Sequence, residues 1–255
     1  MVSRRAGPET IKGLAMRVRG AEATRRVVKN VHTVRGIRRR FGTIAALEHA
    51  SYRVLNAVIL FAWLDIIVLD RERLGEPDPT WSARLSTRPA TRADLDAMAA
   101  DPLLGIGPSK VDAFLAGDTC LLSYADGELA GYTWAHTRGC PELIPGFVIS
   151  VPAQYVYNYA GFTLPEFRGL GLQAYRHRVL LEDRMCADSH GLLGFVDHAN
   201  FASRRGQTKS GYRTVGYVWL VGTRRHFVAL FSDGLRRMGI RRLHKGAPGH
   251  SDPVS

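Results

Sequence analysis

The residues best able to do chemistry lie in one run, Leu164-Pro165-Glu166-Phe167-Arg168-Gly169-Leu170-Gly171-Leu172-Gln173. It falls between a predicted strand, residues 154–164, and a long predicted helix over residues 171–190. A glycine-rich turn opening a helix aims unpaired backbone N–H groups and the positive end of the helix dipole at one point, which suits phosphate oxygens. Glycines let the backbone come close to such an anion. No Gly-Lys-Ser/Thr follows, so this is not a Walker loop, and the G-x-G-x-x-G spacing of a dinucleotide fingerprint is absent. An ordinary strand-to-helix turn carries the same glycines, so the surroundings must decide its meaning.

Those surroundings alternate strands and helices. Residues 85–91 read as a strand, 92–100 as a helix capped by Thr91 with Asp94 in its first turn, and 109–116 as a second helix. Residues 119–124 and 129–136 flank Ala125-Asp126-Gly127-Glu128, whose Asp-Gly step signals a hairpin. A Gly/Pro-containing loop over residues 139–153 leads into the alternation Tyr155-Val156-Tyr157-Asn158-Tyr159. Beyond the long helix come a short apolar strand (192–197), a helix over 200–210 with Asn200 as cap, and two strands, 212–221 and 226–231. The turn-forming Gly75-Glu76-Pro77-Asp78-Pro79 is the best boundary, giving four expected segments: a basic arm (1–43), an apolar helix/strand extension with linker (44–84), a mixed α/β domain (85–231) and a basic, fraying tail (232–255).

Composition narrows the function classes. The chain has 255 residues with 45% hydrophobic and 23% charged side chains, which excludes collagen-like, coiled-coil and wholly disordered proteins. Its net charge of +12 is not spread evenly. Residues 1–43 carry twelve Lys/Arg against two acids, whereas residues 85–221 carry twelve against thirteen, so the basicity describes the ends. Cys120, Cys140 and Cys186 form no CxxC pair and have no zinc-like His spacing, so no metal site is expected and a reducing cytoplasm fits. The apolar run 54–69 is broken by Asn56 and Asp65 and is too short to span a bilayer, so it reads as a buried helix or strand. Arg38-Arg39-Arg40-Phe41 looks like a twin-arginine signal but lies far from the start, with no small-residue cleavage site behind it.

The run around Arg168 resembles the acyl-CoA motif of the GCN5-related N-acetyltransferase (GNAT) family: Arg or Gln, two residues, Gly, one residue, Gly or Ala. Arg168, Gly171 and Gln173 stand at those positions, and Gln173 departs from the small residue. Residues 87–95, the hairpin ADGELAGY, and Asn200-x-x-Ser203 followed by Ser210-Gly211-Tyr212 are similar to further family segments in the same order. The resemblance implies a mixed sheet splayed between its fourth and fifth strands, with acetyl-CoA or another acyl-CoA in the splay. Its pyrophosphate would lie on Arg168, Gly169, Leu170, Gly171, Leu172 and Gln173. Its pantetheine would pair with backbone at Phe162, Thr163 and Leu164, and Asn200 and Ser203 would lie beside the pantetheine or adenine end.

The activity so implied is N-acyl transfer to the amine of a small molecule. This needs a neutral amine, a polarised carbonyl and a proton for the thiolate. Gln207 stands where the family often has an acidic Tyr, and no carboxylate lies in residues 155–159. The candidate catalytic residues are therefore His198 as base and Tyr157 or Tyr159 as donor, with Trp134, His136 and the loop 139–153 lining the acceptor pocket. The basic arm would suit an acidic carrier protein or an anionic membrane surface, and a homodimer is a further expected assembly. Two alternatives stand beside the enzyme: a CoA-binding sensor without turnover, and a basic nucleic-acid or membrane binder on the same scaffold. No nucleic-acid-binding motif accompanies the charge, so no specific nucleic acid is expected.

Overall fold

A computed structural model describes residues 34–243, apart from 76, 137–140, 145–146, 184–185 and 224–225. Residues 1–33 of the expected basic arm (1–43), part of the loop 139–153 and the tail beyond residue 243 lie outside the described residues. The chain divides into two compact units at Ile59/Leu60. In the first, a helical stretch over residues 34–41 stops at Gly42, whose φ of 92° only glycine adopts readily, and helix α1 follows over Thr43–Val58.

The second unit is built on one eight-stranded mixed sheet. Its strands are β1 (Leu60–Asp70), β2 (Leu85–Pro89), β3 (Thr119–Ala125), β4 (Glu128–His136), β7 (Tyr155–Thr163), β8 (Gly191–Asp197), β9 (Arg213–Gly222) and β10 (Phe227–Phe231). A second, three-stranded sheet joins β5 (Glu142–Ile144), β6 (Phe147–Ile149) and β11 (Arg242–Leu243). The helices are α2 (Trp81–Arg84), α3 (Arg92–Ala99), α4 (Pro108–Leu115), α5 (Leu172–Glu182), α6 (Phe201–Lys209) and α7 (Asp233–Arg237). The expected mixed α/β sheet is present, and most local expectations hold within a residue or two. Thr91 caps α3 in a full capping box with Asp94, and Asp126 and Gly127, at φ 49° and 85°, turn the β3–β4 hairpin.

The order of the large sheet is β10-β9-β1-β8-β7-β4-β3-β2. Strand β1, set by the sequence reading in an extension outside the domain, instead lies between β8 and β9, antiparallel to both. Its apolar run is what such a position demands: Leu64 to Leu69 are all buried, and both edges of the strand are hydrogen-bonded. The tail departs from expectation as well. Residues 233–243 form α7 and β11, and Leu235 and Ile240 are buried in the core, which fixes them in place.

Alternation sorts the core onto two faces. Ile67, Leu121, Val156 and Leu192 point to one face, where Leu180 and Leu181 of α5 cover them. Ile66, Tyr157, Leu193 and Val218 point to the other, beneath Phe147 and Ile149 of the small sheet; farther along this face Cys120, Leu122, Tyr132 and Trp134 meet Leu95 and Met98 of α3.

Candidate functional site

The sheet opens between β7 and β8. These strands pair in parallel only from Tyr155↔Gly191 to Tyr157↔Leu193, while β7 stays with β4 as far as Thr163 and β8 stays with β1 as far as Asp197. The cause is local. Ala160 sits at φ 48°, and the β4–β7 register slips between Tyr132 and Trp134, a bulge that bends and twists β7 away from its parallel neighbour. The result is a cleft with its vertex at Tyr157/Leu193 and its mouth near Thr163.

At that mouth the chain turns into α5. Gly169 and Gly171 lie at φ 92° and 77°, and Gly171, the N-cap of an eleven-residue helix, offers no side-chain cap, so the first-turn amides have no side-chain acceptor there. A Cβ on Gly171 would lie 2.8 Å from Nε1 of Trp81, so sterics as well as φ demand glycine. Gln173, the departure from the family pattern, lays its side chain against α6: a Cβ on Gly206 would meet its Oε1 at 2.8 Å. Arg168 folds back, and its Nε donates to the Thr163 carbonyl at 3.2 Å.

The cleft edge of β7 corrects part of the expected pantetheine contact. Leu164 N–H donates to Ala130 O in β4, and Phe162, two residues earlier, shares that orientation. Only Thr163 of the three turns its N–H toward the cleft by antiparallel alternation. Arg176, buried in α5, clamps the splayed strand: its Nη1 donates to Tyr132 O (2.8 Å) and Phe162 O (2.7 Å), and its Nη2 to Thr163 Oγ1 (2.8 Å). Burial draws this guanidinium down to about 10, which leaves it charged at neutral pH. Asn200 acts as the helix cap, its Oδ1 accepting from Ser203 N at 3.1 Å. Gln207 buries its Oε1 with no hydrogen bond among the described residues.

His198 is locked beside β1. Its ring stacks on Trp63 at 3.7 Å and 2°, and its Nδ1 lies 2.7 Å from Oδ1 of Asp65, whose Oδ2 is 3.0 Å from Arg204 Nε. Asp65, the acid that interrupts the apolar run, is 2% exposed, and a carboxylate so buried requires such partners. This cluster lies on the α5 face, at the mouth. His198 is five residues along β8 from Leu193, roughly 16 Å at the rise of a strand.

The candidate tyrosines lie elsewhere. Tyr157 and Tyr159 stack at 5.3 Å on the opposite face, Tyr157 at the vertex with Phe195 on its other side. The structure therefore does not bring His198 together with Tyr157 and Tyr159. It surrounds the tyrosines with groups the sequence did not single out as catalytic. Asp118 accepts a short hydrogen bond from the Tyr159 hydroxyl and lies 2.5 Å from His136 Nδ1. Lys110 of α4 places Nζ 4.0 Å from the Tyr159 ring centre and 5.4 Å from that of Trp134. Burial pulls the Lys110 amine down to about 8 against the opposing charge of Asp118, and burial pushes the nearby Cys120 thiol up to about 12. Both phenols are held well above their ordinary value, first by burial and then by Asp118, so both remain neutral donors. The Tyr159 proton is committed to Asp118.

Among the described residues no cluster suited to a metal ion occurs, and no helix is long and apolar enough to cross a membrane. No family model matches the chain and no curated protein does. Among solved structures it is similar to a GNAT-family protein from Novosphingobium aromaticivorans, at 19% identity and TM-score 0.44 over 65% of this chain and 66% of that one. It is similar also to a GCN5-related N-acetyltransferase from Kribbella flavida, at 14% identity and TM-score 0.44 over 68% and 63%. A third is AAC(6')-Iy in complex with the bisubstrate analogue CoA-S-monomethyl-acetylneamine, at 17% identity and TM-score 0.38 over 50% and 89%. The match spans less than two thirds of the length of the first two proteins. Several structural neighbours of this chain are thus named as GNAT or GCN5-related N-acetyltransferases, the family its glycine-rich turn resembles.

Proposed function

We propose that this chain is an N-acyltransferase that moves an acyl group from acyl-CoA to the amine of a small molecule. The observation that carries the reading is the cleft: β7 leaves β8 at Tyr157/Leu193, and its free edge runs to the Gly169–Gly171 turn at the open N-terminus of α5. Amides of Gly169, Leu170, Gly171 and Leu172 would hold the pyrophosphate, with the helix dipole behind them. The Thr163 N–H would take a pantetheine carbonyl, as a sheet edge takes a peptide. An arm laid along that edge brings its thioester toward the vertex, against Tyr157.

Orientation of an amine against that thioester supplies much of the rate, since fixing two reactants contributes about 7–11 kcal/mol in the best aligned cases. The Tyr157 hydroxyl, held neutral by burial, would give the departing thiolate a proton. His198, at the mouth, fits a role in holding the cofactor arm.

Thiol release from acetyl-CoA in the presence of phenethylamine, an aryl-alkyl amine suited to a site walled by Tyr157, Tyr159 and Trp134, tests the reading. Amine-dependent release is expected, with acetylated amine as its product. Binding of CoA without release of thiol to any primary amine would instead favour a sensor.

A further inference from the structure

On the reading just given, the acceptor amine still needs a base, and we infer that His136 takes its proton, with Asp118 as the residue that positions His136. His136 is the Cα partner of Tyr157, and Tyr157 is the partner of Leu193, so one row across β4, β7 and β8 runs from His136 to the vertex of the cleft. Directly opposed residues point to the same face with Cβ atoms about 5 Å apart, so the imidazole stands beside Tyr157 on the face opposite α5.

His136 Nδ1 lies 2.5 Å from Asp118 Oδ1, and the second oxygen of Asp118 is occupied by Tyr159. A carboxylate on Nδ1 selects the tautomer whose lone pair is on Nε2. That Nε2 is buried and has no hydrogen-bond partner among the described residues, which is costly unless it serves a ligand or a water in the site. The charged and titratable groups packed around the pair are Lys110 from α4, Cys120 from β3, and Tyr157 and Tyr159 from β7. The Lys110 cation offsets Asp118 without forming an ion pair with it.

The acceptor ammonium gives one proton, through a water, to His136 Nε2, and its nitrogen then attacks the thioester carbonyl carbon. The C–N bond forms, the C–S bond breaks, and the sulfur leaves as thiolate. The proton shed by the new amide nitrogen passes through the Tyr157 hydroxyl to that sulfur, and His136 releases its proton to solvent. The sum is acyl-CoA plus ammonium giving amide, free CoA and one proton.

Two acceptors separate a base from a structural role. Phenethylamine is protonated near neutral pH and needs the base, whereas hydroxylamine is already neutral there. In the full chain, His136→Gln should lower kcat/KM for phenethylamine about a hundredfold, the ordinary scale of a general base, and leave that for hydroxylamine within threefold. Asp118→Asn, the milder change, should lower the ratio of the two rates at least tenfold, and CoA affinity by calorimetry should be unchanged in both. Equal losses for both amines, or no loss for either, would overturn the assignment. So would a wild-type chain that binds CoA and acylates neither amine. Failure of the wild type to bind CoA at all would overturn the acyl-CoA reading itself, and this assignment with it.

Discussion

If β1 is a central strand, a single truncation inside it must destabilise the whole second unit. Ile66 is fully buried, and it packs with Leu193, Val218 and Tyr157 on the face opposite α5. Replacement by Ala removes three carbons, worth about 2.4 kcal/mol of transfer free energy at about 0.8 kcal/mol each. A residual cavity raises this to about 3–4 kcal/mol, within the range of measured core truncations. For a unit of this size each kcal/mol moves the midpoint by roughly 2–4 °C, so Ile66→Ala should lower Tm by about 6–16 °C in scanning calorimetry. Ile44 and Val58 of α1 are more than four-fifths exposed, and their Ala variants should stay within about 0.5 kcal/mol of wild type. A loss below about 1 kcal/mol for Ile66→Ala would refute the placement of β1, since a strand outside the domain would leave its unfolding untouched.

Gly171→Ala should cost about 1–2 kcal/mol through its left-handed φ alone and weaken CoA binding, because the new methyl also displaces Trp81; calorimetric affinity equal to wild type would count against the turn as the pyrophosphate site. Ala160→Gly should relieve backbone strain and raise stability by about 0.5–1 kcal/mol in urea unfolding, net of the greater freedom of glycine in the unfolded chain; a loss would contradict the bulge. His177 is fully buried, and burial, helped by the neighbouring Arg176 cation, holds its ring down at about 3 against an ordinary 6.5. Below pH 6.5 the unfolded chain therefore takes up a proton that the folded state refuses, and stability falls as pH falls, by about 1.4 kcal/mol per unit and about 2 kcal/mol at pH 5. His177→Phe should flatten that slope in pH-dependent urea titrations, and an unchanged slope would exclude His177 as its source.

Local chemistry was legible in the sequence wherever a feature is built from neighbours. Thr91 and Asp94 three residues apart form the capping box, Asp126-Gly127 makes the hairpin, and Arg168 to Gln173 turns into a helix, each fixed within one turn of chain. The boundary at residue 85 failed because Gly75 to Pro79 is a genuine turn, yet the strand before it returns to the middle of the sheet. Only pairing with β8 and β9, more than a hundred residues away, gives that strand its place. Separation along the chain, from 18 to 133 residues, also hid the side-chain clusters. Asp65 meets His198 across 133 residues, and Asp118 gives no local sign of the Tyr159 and His136 it holds. One sign was present: a carboxylate inside an apolar run must find partners once buried, and Asp65 found two. The apolar pieces of the loop and tail, Leu143, Phe147, Ile149, Leu235 and Ile240, were too short to show a period, although together they cover one face of the core.

The central claim is that an acyl-CoA lies in the cleft with its phosphates on the α5 turn and its arm along β7. Amide hydrogen exchange followed by NMR in the presence and absence of CoA tests it most directly. The account predicts new protection at Thr163 and at Gly169 to Leu172, with α1 and the β9–β10 edge unchanged. Saturating CoA with no change at those amides, or protection confined to α1, would contradict it.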